Sequence, residues 1–71
     1  MTGPALIADL RRRRDLMASL AEHIGELERR TEDPTRKAKL KRERERAEAD
    51  AAELARTVAE AETTMRELAT T

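Results

Sequence analysis

The chain of 71 residues has no cysteine and no aromatic residue, and only one histidine, two glycines and two prolines. Without cysteine there is no disulfide framework and no thiolate metal site, and a lone imidazole does not build a zinc cluster. Without aromatics there are no stacking platforms for single-stranded nucleic acid, no interfacial membrane belts and no aromatic hot spots. Gly3 and Gly25 stand alone, so no glycine loop cradles a phosphate. Long apolar runs are missing too. Nothing approaches the roughly 20 residues that span a bilayer, and Met1 to Leu10 holds no apolar core of signal-peptide length. The expectation is a soluble, cytoplasmic chain with no membrane partner, no metal and no cofactor.

What is present is charge, at 42%, beside apolar content carried mainly by 13 Ala and 8 Leu. A domain of this size exposes much of its surface, and small side chains make its core smaller still. Strands are not expected, because β-branched residues are few and period-two alternation is nowhere sustained.

Two helices account for nearly every residue. In the first, Leu6, Leu10, Arg13, Met17, Leu20, Ile24 and Leu27 step alternately by four and three, the spacing that keeps one stripe against a partner helix. In the second, Leu40, Arg44, Ala47, Ala51, Leu54, Val58, Ala61, Met65 and Leu68 do the same. Only Arg13 and Arg44 are out of character. Such seam arginines must snorkel, pair with an acid or face a partner. Pro4 and Pro34 suit first helical positions, and Asp33 is a good cap for the second helix. The expected helices span about 4–31 and 34–69, with a turn at about 32–33.

So short a break makes the helices adjacent and antiparallel, an all-α coiled-coil-like hairpin forming a single unit. Folding about Glu32 sets Ile24 against Leu40, Leu20 against Arg44, Met17 against Ala47, Arg13 against Ala51, Leu10 against Leu54 and Leu6 against Val58. Ala61, Met65 and Leu68 then project beyond the first helix. Further apolar residues flank the seam at Ile7 and Leu16, and at Ala52, Ala55, Ala59 and Ala69. A stripe this wide belongs to a bundle. The hairpin is therefore expected to complete a four-helix bundle by association, most simply as a homodimer. The expected function is that of a non-enzymatic protein-protein interaction module, an adaptor, assembly factor or regulatory subunit. Its expected partner-binding residues are Leu6, Ile7, Leu10, Leu54, Val58, Ala61, Met65 and Leu68.

Formal net charge is zero, yet it is unevenly spread. Residues 29–46 carry nine basic and four acidic side chains, whereas residues 47–71 carry two basic and six acidic ones. A hairpin folded this way has a basic tip and an acidic open end. One arrangement this permits is antiparallel pairing of two hairpins, tip beside open end. A second reading of the tip is phosphate binding by Arg29, Arg30, Arg36, Lys37, Lys39, Lys41 and Arg42. In outline a dimer of that kind resembles small hairpin proteins that bind structured RNA, a likeness of architecture without a shared motif. Against it, Lys39 with Glu43, Lys41 with Glu45, Arg42 with Glu45, Arg44 with Glu48 and Arg46 with Asp50 form helical pairs that solvate a long helix. The run Arg11–Arg14 points in four directions, and neutralisation by Asp9, Asp15, Asp50 and Glu53 is expected.

Catalytic chemistry has little to draw on. His23 and Glu26 read His-x-x-Glu, the reverse of the inward Glu-x-x-His of di-iron bundles, and Ser19 has only His23 nearby. Gly25 is expected on the outer face, where it marks a close backbone approach or a tolerated weak spot.

Overall fold

Asp33 and Pro34 set the turn on which the molecule folds. In a computed structural model describing residues 3–70, helix α1 runs Gly3–Arg30 and helix α2 runs Pro34–Thr70. The Asp33 carbonyl accepts the Lys37 N–H at 2.8 Å, and its carboxylate accepts the Thr35 N–H at 3.2 Å. That is N-cap geometry, with Pro34 at the first position, where a missing N–H costs nothing. Helix α1 ends without glycine. Instead the Thr31 hydroxyl donates to the Leu27 carbonyl at 2.7 Å, and Arg29 and Arg30 sit in the last turn, at the negative end of the helix dipole. No described residue has a positive φ, so ordinary backbone makes the whole connection.

The two helices pack along their length as a hairpin measuring 57 × 15 × 15 Å, with no strand among the described residues. Its radius of gyration is 16.3 Å, against about 11 Å for a compact chain of this length. Accessible surface is 5658 Å², roughly 1,200 Å² more than a globular monomer of 8.0 kDa exposes.

On α2 the seam is the expected one. Leu40, Arg44, Ala51, Leu54 and Ala61 are half-buried, Ala47 is buried, and Val58 at 1% exposure is the most enclosed side chain among the described residues. On α1 the expectation was half right. Leu10, Met17 and Ile24 do face α2, but Ile7, Arg14, Ala21 and Glu28 occupy the seam where Leu6, Arg13, Leu20 and Leu27 were expected. The observed stripe, Gly3, Ile7, Leu10, Arg14, Met17, Ala21, Ile24 and Glu28, also steps by four and three. Helix α1 thus carries two overlapping heptad stripes, and α2 contacts the one with smaller side chains and an acid near the turn.

Register moves with the stripe. A Cβ on Gly3 would lie 2.8 Å from the Met65 sulfur, so Met65 lies against the start of α1 rather than beyond it. This is about one turn from the expected pairing of Leu6 with Val58. The projecting apolar end expected at Ala61, Met65 and Leu68 shrinks accordingly. Ala61 is half-buried in the hairpin, and of the three only Leu68, 66% exposed, is well out in solvent.

Candidate interaction surfaces

The charged seam position on α2 explains the choice of stripe on α1. Arg44 is half-buried; its Nε donates to Glu28 Oε2 at 2.6 Å and its Nη1 to Glu48 Oε1 at 2.7 Å. A guanidinium brought off the surface needs such carboxylates, and only a stripe ending in Glu28 supplies one from α1. The expected register put Leu20 there. Gly25 completes the fit. It is buried, not on the outer face, and a Cβ there would stand 3.4 Å from Arg44 Cδ, so the arginine stem lies across it. Hydrogen bonding to Arg44 holds the Glu28 carboxyl below the usual carboxylate range against the opposing effect of desolvation, with the charges of Arg44, Lys37 and Lys41 assisting. The same two carboxylates, Glu28 first and then Glu48, push the Arg44 guanidinium up.

Arg13, expected in the seam, is exposed and paired with Asp9 at 3.0 Å; Arg14 is the one that turns inward, with Asp15 at 3.1 Å. Arg11 reaches across to Glu62 at 2.9 Å. Asp9 and Asp15 therefore neutralise the arginine run as expected. The cross-helix acid is Glu62 instead of Asp50 or Glu53, which follows from the shifted register.

Rotation of α1 leaves large leucines outside. Leu6, Leu16, Leu20 and Leu27 are 46%, 59%, 45% and 45% exposed. Leu6, Leu20 and Leu27 lie on one row with Arg13, and Leu16 stands one turn from Leu20, so all four share one flank. Shallow grooves run between this flank and α2. One is lined by Met17, Leu20, Ile24, Glu43, Arg46 and Asp50, the next by Leu16, Asp50, Glu53, Leu54 and Thr57. Of the expected partner-binding set, Ile7 and Val58 are buried in the hairpin and Leu10, Leu54 and Ala61 are half-buried there; Leu6, Met65 and Leu68 are exposed. The sequence pattern did contain the flank, since Leu20 and Leu27 stand in one of the two stripes.

At the other end, Arg29, Arg30, Arg36, Lys37, Lys39, Lys41 and Arg42 are all exposed. Among the described residues none of the seven closes an ion pair within 4.0 Å. Of the five helical pairs expected to neutralise this stretch, only Arg44 with Glu48 forms.

His23 and Ser19 are exposed, and no cluster of metal-ligating side chains occurs among the described residues. Hydroxyls of Thr57, Thr63 and Thr70 are spent on backbone carbonyls within their own helix. No described helix is long and apolar enough to cross a membrane. Set against protein-family models, curated proteins and solved structures, the chain matches none.

Proposed function

We propose that this chain is a non-enzymatic helical-hairpin interaction module. It pairs with a second copy to complete a four-helix bundle, and in that form serves as an adaptor, assembly factor or regulatory subunit of a larger protein. The observation that carries the reading is the exposed flank of Leu6, Leu16, Leu20 and Leu27 on a hairpin too slender to cover it. Apolar side chains in the seam and on the flank together form a stripe of bundle width, two-sided where a simple hairpin needs one. Sedimentation across a concentration series tests this. A dimer at micromolar concentration is expected, converted to a folded monomer by Leu16→Glu with Leu27→Glu. A wild-type chain that stays monomeric and fully helical throughout contradicts it.

A second reading rests on the seven exposed basic side chains at the tip, none of which closes an ion pair among the described residues. Phosphates of structured RNA would release counterions there, giving affinity that falls steeply with salt. Retention on immobilised duplex RNA across a salt series is the check; no retention at low salt removes this reading.

A further inference from the structure

We propose that the leucine flank docks a second copy antiparallel, α1 against α1 across a twofold axis near the middle of α1, so that each basic tip lies beside the other's acidic open end. This rests on the self-association proposed above and adds to it a face and a direction.

Three observations carry it. The first is the symmetry of the flank. An isologous interface must be self-complementary, and Leu6 and Leu27 stand nearly equidistant from the middle of Gly3–Arg30. Antiparallel docking about that point sets Leu6 over Leu27 of the other copy, with Leu16 near the axis and Leu20 next to it. The second is charge on the same side of α2. Lys39, Arg46, Glu53, Glu60 and Glu67 recur every seventh residue and are all exposed, and Arg46 and Glu53 line the grooves beside Leu20 and Leu16. In the antiparallel arrangement Lys39 comes level with Glu67 of the other copy, and Arg46 with Glu60. The alternative twofold, along the hairpin axis, lays the leucines over this charged row and sets tip beside tip, opposing like charges. The third is area. The elongated hairpin exposes roughly 1,200 Å² more than a globular monomer of its mass, and a standard interface burying ~800 Å² per partner would bring it towards the globular value.

Because the chain has no cysteine, Ala38→Cys places a single spin label at the tip, on an exposed position away from the leucines. Pulsed dipolar spectroscopy on the full-length dimer should give a label-to-label distance of about 45 Å, the rise of some 15 residues on each side of the axis. Under about 25 Å, two helix diameters, the tips are together and the inference is overturned while the dimer stands. A monomer at every concentration overturns the dimer itself, a separate failure read from sedimentation. Charge exchange gives a second arm. Lys39→Glu with Arg46→Glu should weaken self-association about tenfold, and adding Glu60→Lys with Glu67→Lys should restore it. No restoration contradicts the tip-to-end pairing.

Discussion

The two helices of this hairpin carry similar heptad patterns and use them differently. Helix α2 has one stripe, from Leu40 to Ala61, and turns it inward. Helix α1 has two stripes sharing Leu10, Met17 and Ile24, and it turns inward the less hydrophobic one, with Gly3, Arg14, Ala21 and Glu28, while Leu6, Leu20 and Leu27 stay near half exposed. A rule that buries the most leucine gets α2 right and α1 wrong. The difference is made by one residue of the other helix. Arg44 sits on the α2 seam and cannot be left facing leucine, so α1 presents the face with Glu28 for its charge and Gly25 for its stem. Pair chemistry across the seam thus outranks bulk apolarity along it, and the displaced leucines become the surface available to a partner.

This contrast can be broken at its strongest point first. Val58→Asp buries an unpaired carboxylate in the most enclosed position and should cost more than about 3 kcal/mol, abolishing the cooperative melt, whereas Thr57→Asp beside it should stay within about 0.5 kcal/mol. Equal losses in circular-dichroism melts would mean that α2 does not face α1 through Val58.

A smaller effect is expected at Glu28. Glu28→Gln should lower Tm by several degrees at neutral pH, and Glu26→Gln on the exposed side should leave it nearly unchanged. The pH dependence has a definite sign. The carboxyl pKa is depressed in the folded state, so its stabilisation is complete above its ordinary value of 4.5 and is lost as pH falls through the lower folded value. Wild type should therefore lose more Tm than Glu28→Gln between about pH 5 and pH 3. Parallel Tm curves for the two proteins would remove Glu28 from the seam.

Arg13→Leu sharpens the comparison from outside. Were Arg13 in the seam, the change would mainly stabilise the hairpin. On the flank it gives up an exposed pair with Asp9, worth under about 1 kcal/mol, and fills the gap between Leu6 and Leu20. Self-association should tighten several-fold, as sedimentation will show, with little change in the unfolding of a monomeric background such as Leu16→Glu with Leu27→Glu. The smallest change is Gly25→Ala. Its Cβ meets the Arg44 stem at ordinary contact distance, so the gain in helix propensity should stabilise by up to about 1 kcal/mol in thermal denaturation. Destabilisation there would mean that Arg44 has no room to give.

Much of the fold was legible in the sequence. Asp33 and Pro34 announce the turn, and both helices follow from their periodicity; the α2 seam is read from Leu40 to Ala61 because no second stripe competes with it. The face of α1 was not legible from α1 alone, since the two stripes fit the period equally well and the deciding contact lies on the other helix. A signal was present: Arg44 on an otherwise apolar seam calls for an acid opposite, and Glu28 supplies it while Leu20 does not. For the same reason the hairpin divides the expected partner-binding set, with Ile7 and Val58 in the seam and Leu6 exposed. Of the basic tip, position was legible and the state of its ion pairs was not, because helical spacing permits such pairs without closing them.

The most direct test is a neighbouring pair of substitutions on α1. Ala21→Glu and Leu20→Glu, compared by circular dichroism and sedimentation, put the same charge on adjacent residues facing different ways. The expected result is that Ala21→Glu loses the cooperative hairpin melt, while Leu20→Glu remains helical and sediments as a monomer. If instead Leu20→Glu unfolds the chain and Ala21→Glu is tolerated, the leucine stripe is the seam and the rotation of α1 is wrong.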